Sequence, residues 1–132
     1  MSTTHDEFAE RLGFASGQVV QEIGRGEDSD AALREAIETR TGTKLVDDEH
    51  DGLVDAVLYW WRAQNGDLAE ELNTAALSLH DGGFIWLLTP KPDRHGHIAP
   101  SDLGEEIVHA GLKHDTPVSA APDWTGTRVT SG

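Results

Sequence analysis

Hydrophobic positions in this chain fall into two periodicities that alternate along its length. Gln18-Val19-Val20-Gln21-Glu22-Ile23 reads as a first strand, stopped by Gly24-Arg25-Gly26. Asp28-Ser29-Asp30 then offers an N-cap, and Leu33, Ala36, Ile37 and Arg40 recur at helical spacing until Thr41-Gly42. Lys44-Leu45-Val46 predicts a brief second strand running into a cluster of acids. Leu53 to Trp61 is apolar almost throughout, as expected of a strand covered on both faces. Asp67 caps a helix with Glu70 three residues on, and Leu68, Leu72, Ala75, Ala76 and Leu79 form its inward stripe. Asp81-Gly82-Gly83 reads as a turn before the buried strand Phe84-Ile85-Trp86-Leu87-Leu88. Pro100-Ser101-Asp102 opens a helix with Leu103, Ile107 and Ala110 inward. Val118-Ser119-Ala120 and Thr127-Arg128-Val129 are weaker strands with no helix between them. Near the start, Thr4-His5-Asp6-Glu7 is a capping box for a short helix through Phe8 and Leu12, and residues 1–3 are expected to be loose.

Strands alternating with helices through short turns imply a three-layer, mainly parallel α/β sheet with right-handed crossovers, and the closing pair implies an antiparallel hairpin at one edge. This arrangement fits a shortened Rossmann-like sheet of the class I methyltransferase variety. At 132 residues the chain suits a single domain over its whole length.

Charge narrows the partners. There are 24 acids against 10 bases, giving a formal net charge of −14, and the excess is spread over both halves of the chain. Such a surface repels nucleic-acid phosphates and anionic membranes. Three readings remain open: a solvated, solubility-conferring surface, a docking face for a basic protein, and a mimic of nucleic acid. Absence of Cys excludes a disulfide scaffold, a thiolate metal site and a Cys nucleophile. No apolar run approaches the roughly 20 residues of a membrane span, and no secretory leader is expected. A cytoplasmic setting is expected, as a monomer or homodimer, with a protein partner and with neither nucleic acid nor membrane.

Several segments together resemble one family. They are Gln18-Val19-Val20-Gln21-Glu22, Leu58-Tyr59-Trp60-Trp61-Arg62, Asp81-Gly82-Gly83 leading to Leu88-Thr89-Pro90-Lys91, and Asp123-Trp124 before Arg128-Val129. They resemble the bacterial, mainly actinobacterial, family known as domain of unknown function 3052, and the likeness covers nearly the whole chain. It implies a shrunken class I methyltransferase fold in a bacterial cytoplasm and supplies no catalytic residues.

Such a fold binds S-adenosylmethionine at a glycine-rich turn after the first strand. Glu22-Ile23-Gly24-Arg25-Gly26-Glu27-Asp28 keeps the acid and two glycines but has Asp28 where a third Gly stands in the usual pattern. Gly24 and Gly26, with Asp47 or Asp48 for the ribose hydroxyls, are the candidate cofactor residues. A lone Gly-x-Gly also serves any tight strand-to-helix turn. Ligands of open α/β sheets bind beyond the C-terminal strand ends, where Arg25, Trp60, Trp61, Arg62 and Lys91 converge as candidate partner or ligand contacts. Trp60 and Trp61 should face opposite sides of the sheet. Packing of both under helices is the competing expectation.

Other chemistry is weakly signalled. Asp93, His95 and His97, or Glu105 with His109, form no recognised ligand set, so no metal is expected. Neither Ser78 nor Ser101 lies in a nucleophile elbow, and no residue is assigned a catalytic role. The sequence therefore favours a non-catalytic binding or regulatory module, with a small S-adenosylmethionine-binding protein or methyltransferase as the alternative. A glycine loop filled by Arg25 or Trp61 would count against the alternative. A subunit of a homo-oligomer would show an apolar patch around Trp124 and Val129.

Overall fold

The computed structural model describes residues 13–131 apart from 48, 50, 51, 64 and 65. The helix expected over residues 4–12, the loose residues 1–3 and Asp48 lie outside the described residues.

Strand β1 (Val20–Ile23) leads to helix α1 (Ala31–Thr41), β2 (Val54–Trp60), α2 (Leu68–Ala76), β3 (Leu79–Pro90) and α3 (Pro100–His109). Three strands follow: β4 (Leu112–His114), β5 (Val118–Ala121) and β6 (Trp124–Ser131). They form one sheet in the order β1-β2-β3-β6-β4, with β5 also paired to β6. The pairs β1–β2 and β2–β3 are parallel, in a register that sets Ile23 opposite Tyr59 and Trp60 opposite Leu88. Strand β6 runs antiparallel to β3, β4 and β5. The expected C-terminal hairpin is present, but β6 lies inside the sheet rather than at its edge.

Local chemistry explains the helices. The Asp30 carboxylate accepts the Leu33 amide at 2.8 Å, and Gly42 closes α1 with φ +78°, a left-handed conformation that suits glycine. Asp67 accepts the Glu70 amide at 3.2 Å at the start of α2, and Pro100 occupies the first turn of α3.

Because neighbouring strand residues point to opposite faces, β2 and β3 feed two cores. Leu58, Trp60, Phe84, Trp86 and Leu88 pack with Leu33 and Ile37 of α1. Val57, Tyr59, Trp61, Ile85 and Leu87 pack beneath α2 and α3 with Leu72, Leu103 and Ile107. The three layers follow directly from this alternation.

Several local expectations change. Leu79, expected on the inward stripe of the helix that Asp67 caps, is the first residue of β3, and that helix ends at Ala76. Lys44-Leu45-Val46 shrinks to a single parallel bridge between Val46 and Gln21. Asp81-Gly82-Gly83 is no turn between elements. It lies within β3, where the register against β2 shifts and Gly82 takes φ +83°. Leu112–His114 adds a strand that one apolar residue in three could not signal. Trp124 and Val129 are both buried, one in each core, so they form no exposed apolar patch.

Candidate functional site

The C-terminal ends of β1, β2 and β3 meet at one face, the place where open α/β sheets put their ligands. Gly24 approaches β2 so closely that a Cβ on it would lie 2.4 Å from the Trp60 carbonyl oxygen, and its φ is +78°. Only glycine meets both demands without strain.

Beneath this loop the expected acid is already engaged. Glu22 is buried, and its Oε2 accepts the Arg34 Nε–H at 2.5 Å and the Trp60 indole N–H at 2.9 Å. Trp60 is fully buried and stands edge-on to Trp124, ring centroids 4.8 Å apart. It presents no ring face to a ligand. The packing that brings it there is the alternation of β2.

Arg62 leaves the end of β2 and turns back over the loop. Its Nη1 donates to the carbonyls of Gly24, at 2.8 Å, and of Trp60, at 3.3 Å. Nε donates to Asp28 Oδ2 at 3.1 Å, and Nη2 pairs with Asp28 Oδ1. The guanidinium carbon lies 5.2 Å from the centre of the Trp124 ring, whose N–H donates to the Asp28 carbonyl at 3.0 Å. A Cβ on Gly26 would meet Arg62 Nη2 at 2.9 Å. Hydrogen bonds from Arg62, above all, hold the Asp28 carboxyl below the ordinary carboxylate range, with the charge of Arg62 adding to the effect and partial burial opposing it. The sequence raised Arg25 and Trp61 as side chains whose entry into the glycine loop would count against a cofactor there. The residue that fills it is Arg62, while Arg25 is exposed and Trp61 faces the other side of the sheet.

The remaining candidates spread out. Asp47 is exposed just past the Val46 bridge, its carbonyl accepting the Gln21 amide side chain at 3.2 Å and its carboxylate the Glu49 amide at 3.1 Å. Among the described residues no hydrogen bond links it to the glycine loop. Lys91, half-buried at the end of β3, donates to Ser119 Oγ at 2.7 Å. Strand ends thus gather Gly24, Arg25, Gly26 and Arg62, but tie Asp47 and Lys91 elsewhere.

Two cavities flank β2's exit. A cleft of about 200 Å³ is lined by Asp28, Pro90, Arg94, His95, Asp123 and Trp124, with Arg94 and Asp123 ion-paired on its rim. On the other side of the sheet, Trp61 contributes to a cavity of about 430 Å³ whose wall carries Asp67, Asp102, Glu105, Glu106 and His109. None of those four carboxylates forms an ion pair among the described residues, and those residues hold no cluster able to bind a metal. Sequence reasoning treated Asp28 as a missing glycine and did not assemble the acidic cavity. The Asp28–Arg62 pair spans 34 positions, and its closeness follows from the β1–β2 register rather than from any local motif.

Arg62 Nη2 thus packs against the backbone of Gly26, the second glycine of the loop. No helix among the described residues is long and apolar enough to cross a membrane.

Comparison with known proteins agrees with this architecture. Uncharacterized proteins of Mycobacterium tuberculosis and Mycobacterium bovis are 38% identical over 122 residues, covering 92% of this chain and 77% of theirs. Among solved structures, the O-methyltransferase NcsB1 of neocarzinostatin biosynthesis, in complex with S-adenosylmethionine, superposes with a TM-score of 0.70 at 13% identity. It covers 94% of this chain and 52% of its own. Mitomycin 7-O-methyltransferase MmcR gives 0.66 at 11% identity, over 99% of this chain and 55% of its own. A SAM-dependent methyltransferase from Aquifex aeolicus gives 0.64 at 11% identity, over 97% of this chain and 89% of its own. The chain thus spans about half the length of the first two enzymes, and at such identities the likeness shows the fold: class I methyltransferase. The family described as Protein of unknown function (DUF3052) matches residues 9–132, and this chain belongs to it.

Proposed function

We propose that this chain is a non-catalytic binding module of the cytoplasm, built on a methyltransferase-like fold, that engages a protein partner through the face at its strand ends. One observation carries the reading: the Arg62 guanidinium fills the glycine loop and is held there by Gly24, Trp60 and Asp28. The cleft left beside it, about 200 Å³, falls short of the roughly 300–1,000 Å³ of small-molecule sites. Its rim is exposed and mixed in charge, with Asp28, Arg94, His95 and Asp123, which suits the polar border of a protein contact. The larger cavity has the volume for a small molecule, but its carboxylates disfavour any anionic ligand.

Isothermal titration of the wild-type protein with S-adenosylmethionine and S-adenosylhomocysteine tests this. No saturable heat is expected at roughly millimolar ligand, the regime of about −4 kcal/mol binding. Saturable binding, weakened by Asp47→Ala, would overturn the reading and restore the second one, a small S-adenosylmethionine-binding protein or methyltransferase. That second reading draws on the fold shared with cofactor-bound NcsB1 and requires Arg62 to swing out of the loop.

A further inference from the structure

We infer that the strand-end nest is a receptor for a planar organic cation of the guanidinium class, with Arg62 acting as its internal occupant. This deepens the closed-loop reading above and rests on it, by naming what the closed site recognises: an arginine side chain presented by a protein partner in exchange for Arg62.

The argument is one of donor and acceptor matching. Around the guanidinium stand two backbone carbonyls, of Gly24 and Trp60, and both oxygens of Asp28. These are acceptors throughout, and a guanidinium is a donor throughout, with five N–H groups in a rigid plane. The paired contacts of Nε and Nη2 with the two Asp28 oxygens are the bidentate geometry that an ammonium cannot reproduce. Trp124 supplies an aromatic face 5.2 Å from the guanidinium carbon. The backbone of the nest is also held by contacts other than those of Arg62. Trp124 holds the Asp28 carbonyl at 3.0 Å, Ser29 Oγ accepts the Gly26 amide at 2.9 Å, and Gly24 is pressed against Trp60. Removing the Arg62 side chain should therefore leave a site of the same shape rather than a collapsed one. The Arg62 side chain is 14% exposed and that of Asp28 56%, so the ion pair borders solvent.

Chemical rescue tests it. In Arg62→Ala, guanidinium chloride at low concentration should raise the thermal midpoint by roughly 3–6 °C near ten times its dissociation constant. Equal ammonium or sodium chloride should not, and neither should any of the three salts in wild type. The sign is diagnostic, because guanidinium otherwise destabilises folded proteins. Asp28→Asn in the Arg62→Ala background should abolish the rescue. Should Arg62→Ala fail to fold, Arg62→Lys is the second variant, keeping a charge but losing the planar fork, and the same selective rise is expected. Absence of a rise, an equal rise with ammonium, or an equal rise in wild type would overturn the inference. Saturable S-adenosylmethionine binding by wild type would overturn the functional reading instead, so the two failures are distinguishable.

Discussion

Trp60 and Trp61 are adjacent in the chain, yet they look out on two differently built regions. On the Trp60 side the polar groups are closed on one another: Arg34 and Trp60 on Glu22, Arg62 on Asp28, Trp124 on the Asp28 backbone. On the Trp61 side four carboxylates border a cavity without an ion pair among the described residues. The cause is one of location. Glu22, drawn beneath the loop, is buried and must be paired, whereas Asp28, its side chain 56% exposed, is paired because Arg62 reaches it. Asp67, Asp102 and Glu105 are exposed without such a partner among the described residues. A methyltransferase-like sheet thus carries a sealed end and an open end within a few residues of β2.

The comparison can be broken first at its base. Leu58 feeds the core on the Trp60 side and Leu87 the core on the Trp61 side, and both are fully buried. Leu58→Ala and Leu87→Ala should each cost about 2–5 kcal/mol in denaturant titrations. A wild-type midpoint for either variant would mean that the two sides are not two equivalent cores.

A smaller effect distinguishes the sealed end. Asp28 ionises more readily folded than unfolded, so its pair with Arg62 contributes in full above the ordinary carboxylate value of about 4. That contribution fades as pH falls through the lower folded value. Thermal midpoints followed from about pH 6 downwards should therefore fall more steeply in wild type than in Asp28→Asn across this acid window. Parallel curves would show that the pair contributes nothing to folding.

The smallest effect belongs to the open end. Glu105→Gln or Glu106→Gln should shift stability by no more than about 0.5 kcal/mol, and towards greater stability, because each relieves crowding among like charges. The gain should shrink as salt rises towards about 1 M, where the screening length is near 3 Å. A substantial loss of stability would reveal hidden pairing and erase the contrast between the two ends.

Sequence pattern was a good guide wherever burial imposed a period. The runs in β2 and β3, most of the stripes of α1, α2 and α3, and the opposed faces of Trp60 and Trp61 could be read directly. By contrast, Leu79, expected in the stripe of α2, opens β3, and Arg40, expected in that of α1, is exposed. Asp81-Gly82-Gly83 misled because the residues that make turns also make bulges, and only the neighbouring strand decides between them. The site was half legible. Glycines 24 and 26 and Arg62 could be located, but the direction of Arg62 could not, since it depends on Asp28 and Trp124 arriving from other elements.

The bond from the Trp124 indole to the Asp28 carbonyl joins positions 96 apart. It has a consequence for folding kinetics. Closing so long a loop must await docking of β6 against β3, so the sealed end is expected to be absent from the transition state. Substitutions there should then leave the refolding rate nearly unchanged and speed unfolding instead. The nest would be a late-closing latch, setting how long the native state persists rather than how quickly it is reached.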